Sequence, residues 1–354
     1  MPLVSLIMPV YNVEDYIVKS IRSVLEQTFR DFELFVVDDG STDRSGALCD
    51  EFAREDARVI PFHQVNQGSS AARNNGLDHA SGKYVYFIDA DDWIGPNRLE
   101  NLVQIAEKEQ ADLVITGFSM EYYLQGREIT YHTPCPSKVY SDIDVFHREA
   151  YQYLNNSLLS LPWNKLFLRQ RIEAEHIRFQ KTKWPDHHFC MDYLMNCQKV
   201  VLNDAEDYHW YRSRKNSSTD LIYADVRMFN KRVEHYEHVL RLFEHWGVDD
   251  AKSIDAISAY FIGRVMQCVQ EISINRTIGA QERRDRIKAM VNHPLVLKAS
   301  KHTGAMSSQM RLMTFPIRHR SIPLCMMMGK GISAVRTYFP GLFVHLKEKE
   351  VHEN

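Results

Sequence analysis

Over its first 120 residues the chain alternates short apolar, β-branched runs with amphipathic stretches, and that alternation admits few folds. Leu3 to Val10, Phe32 to Val37, Val59 to His63 and Tyr84 to Ile88 read as strands. Between them Glu14 to Thr28 reads as a helix with Ile17, Ile21, Val24 and Leu25 on one face. Asp43 to Glu55 and Ser69 to Ala80 read as two more. Near-continuous apolar strands separated by helices predict an α/β fold, a mostly parallel sheet covered on both faces. Ligands of such sheets settle beyond the carboxyl ends of the strands, so the residues just after each strand matter most.

Those residues are Tyr11-Asn12, Asp38-Asp39-Gly40, Asn66-Gln67-Gly68 and Asp89-Ala90-Asp91-Asp92. All four strand ends are polar, turn-forming or acidic, and that convergence predicts a site. Asp89 and Asp91 stand at i and i+2, so their carboxylates can converge on one cation. Oxygen ligands with open positions suit Mg²⁺ or Mn²⁺ bridging a diphosphate. A bare Asp-x-Asp is more often a solvated loop; here it caps the apolar run Tyr84-Val85-Tyr86-Phe87-Ile88. Asp38 to Asp43 can accept from a nucleobase or ribose, Gly40 permits a tight turn, and Ser41 or Thr42 can cap the next helix. Taken alone, it reads equally as an ordinary turn and cap. Asn66 to Asn74 places a Gly-Ser turn before a helix whose first turn can face an anion. Arg73 on that helix reads as a partner for the acidic cluster or as a structural ion pair.

The order of these motifs resembles glycosyltransferase family 2, whose fold is the Rossmann-like GT-A fold. The resemblance rests on Pro9-Val10-Tyr11-Asn12, Ser23-Val24-Leu25-Glu26-Gln27-Thr28, Val36 to Asp43, Asn66 to Asn74 and Phe87-Ile88-Asp89-Ala90-Asp91-Asp92. It runs continuously over roughly the first 95 residues and weakens through about residue 215. It implies an inverting enzyme that moves a sugar from a nucleotide diphosphate donor, expected to be a UDP-sugar, onto an acceptor hydroxyl. Pro9 and Tyr11 would line the nucleobase slot, and Asp39 would hydrogen-bond the base. Asn66 and Arg73 fall in the donor-binding motifs, Asp89 would contact the ribose side, and Asp91 would ligate Mn²⁺ or Mg²⁺.

Further on, Ile177-Arg178-Phe179 leads to Trp184-Pro185-Asp186-His187-His188. The resemblance places the catalytic base at Asp186, with Pro185 where the family commonly carries Glu. The chemistry needs one carboxylate near the acceptor hydroxyl, opposite the leaving group; a plain loop Asp beside two histidines is the alternative. Asp207 to Arg214 resembles a family segment in which His209 would complete the metal shell and Arg212 or Arg214 would neutralise diphosphate. Pro162-Trp163-Asn164-Lys165-Leu166 resembles an acceptor-side segment, where Trp163 would stack on a sugar or, equally, pack in the core.

Leu113 to Gly117, Ile129 to His132 and Lys199 to Leu202 read as later strands, and Asp142 to Asn155 and Arg169 to His176 as helices. From about Asp225 the pattern is mainly helical, as in Val226 to Trp246 and Ile254 to Ile274. A boundary near 220–225 is expected, with a catalytic domain over 1–222 and a helical domain over 223–354. Within the first, the nucleotide-binding half would end near 95 and the acceptor half fill 96–222.

The net charge of −3 hides an asymmetry: residues 286–347 hold ten Lys or Arg and no Asp or Glu. Elsewhere acidic residues outnumber basic ones, 46 to 33. Anionic lipid or a phosphate-rich acceptor are the partners expected for that segment, with Met and aromatic residues interleaved among its charges. The rest of the chain does not support nucleic-acid binding. The six cysteines form no CxxC pair, so structural zinc is not expected and reduced thiols are. The N-terminus reads as a first strand and no apolar run reaches about 18 residues. A cytoplasmic enzyme, peripheral on the inner face of the membrane and serving a lipid-linked glycan acceptor of a bacterial surface polysaccharide, is the expectation. Pyrophosphorylase, processive synthase, NAD and P-loop chemistry all lack their signatures. The alternative from another class is a catalytically silent sugar-nucleotide or glycan-binding module.

Overall fold

The structure, a computed structural model, describes residues 1–124, 127–182, 184–213, 228–302, 304 and 306–338. The chain divides into two compact units, Met1–His147 with Tyr153–Asn216, and Arg148–Gln152 with Ser217–Asn354. The expected boundary near 220–225 lies outside the described residues.

The first unit opens with β1 (Val4–Val10), α1 (Ile17–Leu25), β2 (Phe32–Asp38), α2 (Ser45–Glu55), β3 (Val59–His63), α3 (Ser69–His79) and β4 (Tyr84–Phe87). Each falls within a residue or two of its expected place, apart from the first helix, which starts at Ile17 and ends at Leu25. The strands are buried because both faces are covered: Val4, Leu6, Ile7 and Met8 have no exposed surface. Helix α1 turns Ile17, Ile21 and Val24 inward. Helix α3 lies so close to β1 that a Cβ on Gly76 would meet Ile7 Cγ2 at 2.6 Å.

Then follow β5 (Trp93–Ile94), α4 (Arg98–Glu109), β6 (Leu113–Thr116), β7 (Phe118–Leu124), β8 (Arg127–Thr133), β9 (Lys138–Tyr140) and α5 (Ile143–Glu149). The unit closes with β10 (Lys165–Leu168), α6 (Arg169–Ala174), α7 (Pro185–Met195), β11 (Val200–Asn203) and β12 (Tyr208–Tyr211). The main sheet runs β3-β2-β1-β4-β10-β6-β11-β9, with β10 antiparallel to both neighbours and β9 antiparallel to β11. The remaining pairs are parallel. Strand order turns back at β1, so the carboxyl ends of β1, β2 and β4 face one crevice. A smaller sheet, β5-β12-β7-β8, stands beyond the end of β4.

Arg98, the first residue of α4, ties these layers together. Its Nε donates to Tyr86 Oη of β4 at 2.6 Å, its Nη2 to Thr116 Oγ1 of β6 at 2.8 Å, and its Nη1 to Asp207 Oδ1 at 2.5 Å. Asp207 immediately precedes β12, so one buried guanidinium couples main sheet to small sheet.

The second unit is helical in its described part: α8 (Met228–His245), α9 (Ala251–Ile274), α10 (Ala280–Val291), α11 (Pro294–Ala299), α12 (Ser308–Arg318) and α13 (Ile322–Tyr338). Helix α9 is its hub and touches all the others. It buries Ile257, Phe261, Ile262, Val265, Val269 and Ile272, and Phe261 stacks on Tyr236 at 4.0 Å. No helix among the described residues is long and apolar enough to cross a membrane.

Replacing Arg98 by Leu strands the Asp207 carboxylate and removes three bonds at once. Urea unfolding should show a loss of about 3–5 kcal/mol. A loss below about 1 kcal/mol would mean that the sheets are coupled by other contacts.

Candidate active site

The loops after β1, β2 and β3 are bound to one another before any ligand arrives. Asn12 Oδ1 accepts from Thr42 N at 2.8 Å, and Asn12 N donates to Ser41 Oγ at 3.1 Å. Asp39, buried, accepts from Gln64 Nε2 at 2.7 Å and Gln67 N at 2.9 Å on Oδ1, and from Gly68 N at 2.7 Å on Oδ2. The expected base-binding carboxylate thus also holds the 64–68 loop in place. Gly40 makes the approach feasible: its φ is +74°, and a Cβ there would meet Asn66 N at 2.9 Å. Asn66 and Tyr11 lie exposed at the rim, and Pro9 is half-buried on β1. Beside them Asp38 accepts from Ser41 N at 3.0 Å and pairs with His63 Nδ1 at 3.0 Å. Hydrogen bonding to Asp38, then to Asp50, raises the His63 pKa.

Arg73 joins the two halves of the site. Its side chain is 5% exposed; Nη2 donates to Asp89 Oδ1 at 2.6 Å and Nη1 to Asp186 Oδ1 at 2.9 Å. The second oxygen of each carboxylate has no protein donor among the described residues. Burial acts to lower the Arg73 pKa, but Asp186 and Asp89 together hold it above its usual value. Burial raises the Asp186 pKa, Arg73 opposes that rise, and the nearby Asp89 adds to it. Asp186 lies in the first turn of α7 and not in a loop. Pro185 opens that helix, where its missing N–H costs nothing and its fixed φ suits the turn. The position therefore tolerates Pro in place of an acidic residue.

The approach to α7 is fastened to α3. Asn74 exchanges two 2.8 Å bonds with the backbone of Phe179, and Ser70 Oγ donates to Gln180 O at 3.0 Å. Ser70, Arg73 and Asn74 are near neighbours on one helix, and all three reach this later segment. Phe179 stacks on Phe189 of α7 at 4.2 Å and meets Phe87 of β4 edge-on at 5.1 Å.

Beyond β4 the chain turns at Asp89–Asp92. Asp92 is buried and accepts from Tyr208 Oη at 2.6 Å and Tyr211 N at 2.8 Å. Burial first, then the adjacent Asp91 and Asp89, raise its pKa well above the carboxylate range. Tyr208 Oη also accepts from Asp89 N at 3.3 Å, so one hydroxyl pins both ends of the acidic turn. No local pattern marks Asp92 or Tyr208 for this role, and only their tertiary pairing reveals it.

Trp163 is 2% exposed and stacked on Tyr208 at 4.3 Å, with Phe118 edge-on at 4.8 Å. It packs behind the acidic turn and offers no open face to a sugar, which corrects the expectation of acceptor stacking. Its neighbour Lys165 is buried among carbonyls, donating to Leu161 O at 2.6 Å, Asn164 Oδ1 at 2.8 Å and Leu158 O. Burial lowers the Lys165 pKa to about 8. Arg212 lies over the Trp210 ring, 4.4 Å from its centroid. Arg214 lies outside the described residues.

His209 stacks on Trp93 at 5.1 Å and its Nδ1 sits 2.8 Å from Glu121 Oε1. A carboxylate on one imidazole nitrogen is the arrangement that orients the other toward a cation. Asp91 is half-buried in the turn after β4. No three His, Cys, Asp or Glu side chains among the described residues are grouped to hold an ion by themselves. A divalent ion held here would take only part of its shell from the protein and the rest from phosphate and water oxygens.

A mostly parallel sheet with acidic turns at the ends of β2 and β4 is the arrangement expected of a GT-A glycosyltransferase. The glycosyl transferase family 2 profile matches residues 5–176. An uncharacterised glycosyltransferase of Haemophilus influenzae is 34% identical over 233 residues, covering 65% of this chain and 87% of that one. GlyG, a glycosyltransferase of Streptococcus pneumoniae, is 31% identical over 249 residues, covering 65% of this chain and 79% of GlyG. EpsJ of Bacillus subtilis, an uncharacterised glycosyltransferase, is 29% identical over 312 residues, 85% of this chain and 87% of EpsJ. The chain belongs to glycosyl transferase family 2 and is a glycosyltransferase. Its fold matches that of S. aureus TarS residues 1–349, with TM-score 0.65 and 18% identity over 92% of this chain and 90% of that one.

Removing the Tyr208 hydroxyl tests the acidic turn. Tyr208→Phe leaves Asp92 with one donor and frees the Asp89 backbone, which should cost about 1–3 kcal/mol in thermal or urea unfolding. Because the Tyr208 hydroxyl opposes the rise in the Asp92 pKa, its removal should cost more as pH rises toward Asp92 ionisation. A penalty independent of pH would place the effect outside Asp92.

Proposed function

We propose that the chain transfers a sugar from a nucleotide diphosphate donor, in the first instance a UDP-sugar, to an acceptor hydroxyl with inversion at the anomeric carbon. The observation that carries this reading is the Arg73 bridge between Asp89, on the donor side, and Asp186. The TarS fold has been seen with UDP-GlcNAc, and a mannosyltransferase from Pyrobaculum calidifontis with GDP-Man and Mn²⁺. That second structure shares TM-score 0.50 and 16% identity over 96% of this chain and 88% of the other. Both are consistent with a nucleotide sugar as donor here.

In this mechanism Tyr11 and Pro9 flank the base and Asp39 accepts from it through its remaining lone pair. Asn66 borders the same slot. Asp89 receives the ribose side of the donor through the oxygen that Arg73 leaves open. Asp91, with His209 oriented by Glu121, would hold Mn²⁺ or Mg²⁺, which when bound supplies positive charge to the departing diphosphate. Asp186 uses its second oxygen to take the proton of the acceptor hydroxyl as that oxygen attacks the anomeric carbon. Partial burial makes Asp186 a stronger base than an exposed carboxylate, while Arg73 keeps it ionised and fixes its orientation. A single displacement from the face opposite the leaving group inverts configuration. Arg212 and Arg214 are assigned to the diphosphate by motif alone. A lipid-linked glycan in bacterial surface-polysaccharide assembly is the acceptor that fits a peripheral enzyme on the inner membrane face.

A donor-hydrolysis screen across nucleotide sugars should single out one nucleotide and one sugar. With that donor, Asp186→Asn should bind normally while turnover falls by about 10²-fold or more. Normal turnover in Asp186→Asn would move the base to another carboxylate.

Titration of metal-dependent donor binding addresses the other carboxylate. Asp91→Ala should abolish that binding and leave the melting temperature within a few degrees of wild type. An active Asp91→Ala enzyme would overturn the metal assignment.

A further inference from the structure

The second unit carries an apolar surface that its own packing leaves open. Among its described residues, the exposed large hydrophobic side chains are Ile274, Leu312, Phe315, Leu324 and Met327. Four of these five fall within α12 and α13, and they are exposed by 67%, 46%, 37% and 63% from Leu312 to Met327. Leu312 and Phe315 stand three apart on α12, and Phe315 packs on His319 at 4.0 Å. Leu324 and Met327 stand three apart on α13, whose opposite side buries Cys325. Spacings of three place each pair on one helix face. A turn of a few residues joins the two helices, which pack on each other.

Arg311, Arg318, Arg320 and Lys330 are exposed on and between the same two helices. The stretch from 286 to 347 contributes no carboxylate to balance them. A protein partner's hydrophobic face would need acidic residues spaced to match these cations; a sheet of anionic headgroups over an apolar interior satisfies both features at once. Two helices of 11 and 17 residues are too short to span a bilayer together with their charges but long enough to lie along its surface.

We propose that the α12–α13 pair is a docking surface for an anionic lipid bilayer, with Leu312, Phe315, Leu324 and Met327 entering the headgroup boundary and Arg311, Arg318, Arg320 and Lys330 meeting lipid phosphate. This names the surface behind the peripheral location proposed above, yet it stands on the second unit's own residues. An enzyme inactive in transfer that still binds vesicles leaves it intact, and failed vesicle binding leaves the Asp186 reading intact.

The test is sedimentation of the full chain with vesicles of phosphatidylcholine alone or mixed with phosphatidylglycerol, at low and high salt. Wild type should pellet with the anionic vesicles at low salt and be released by salt. The triple variant R318Q/R320Q/K330Q should lose on the order of 100-fold in partitioning. Variant L312S/F315S/M327S should lose binding to the anionic vesicles at low salt while melting as wild type does and hydrolysing donor at the wild-type rate. Equal pelleting with neutral and anionic vesicles would overturn the proposal. So would a wild-type dimer in light scattering that L312S/F315S/M327S dissolves, if neither protein binds vesicles; the face would then serve a second copy.

Discussion

The guanidinium of Arg73 is almost wholly removed from water, and a cation in that position must be neutralised where it stands. Asp89 does so at Nη2 from beyond the end of β4, and Asp186 at Nη1 from the first turn of α7. The two carboxylates would repel each other without the cation, and the cation would be costly without them. That mutual dependence ties the end of β4 to the first turn of α7. Asp186 is half-buried, which strengthens it as a base, while the shared cation keeps its charge, and both suit the base role proposed for it.

The rest of the first unit is arranged to deliver these three side chains. Helix α3 sits close on β1 because Gly76 has no side chain to hold it off Ile7. From that position Ser70 and Asn74 catch the backbone of Phe179 and Gln180, and the stacked Phe179–Phe189 pair carries the constraint into α7. On the other side, Tyr208 holds the acidic turn and Trp163 backs Tyr208. The end of β4 and the start of α7 are thus held in one hydrogen-bonded frame within a single unit.

Much of this was legible in the chain because β1 to β4 are buried on both faces and so read as unbroken apolar runs. The strand-end residues Tyr11, Asp39, Asp89 and Asp91 followed directly from that alternation. Asp186 came only from a resemblance, since nothing in Trp184-Pro185-Asp186-His187 announces a helix start until Pro185 is seen at its first position. Short strands defeated periodicity: β10 is four residues with Lys165 buried inside it, and β7 alternates too weakly to be told from a loop. Trp163 was ambiguous because an aromatic beside a site reads the same whether it faces ligand or core. The partnership of Asp92 with Tyr208 spans 116 positions, and no local pattern carries information over that distance.

The central claim is that Arg73 sets the ionisation of Asp186, and a pH–rate profile of Arg73→Met reads it directly. Transfer requires the ionised carboxylate, so activity should rise with pH through the Asp186 pKa. Losing the cation removes the larger of the two cationic influences, Arg73 ahead of Lys165, that oppose the rise burial causes, and the acidic limb of the profile should move to higher pH. Above that limb the variant should recover part of its rate, because the base is present but less well placed. An acidic limb unmoved from wild type, with the rate lowered equally at every pH, would contradict the account and reduce Arg73 to a structural ion pair.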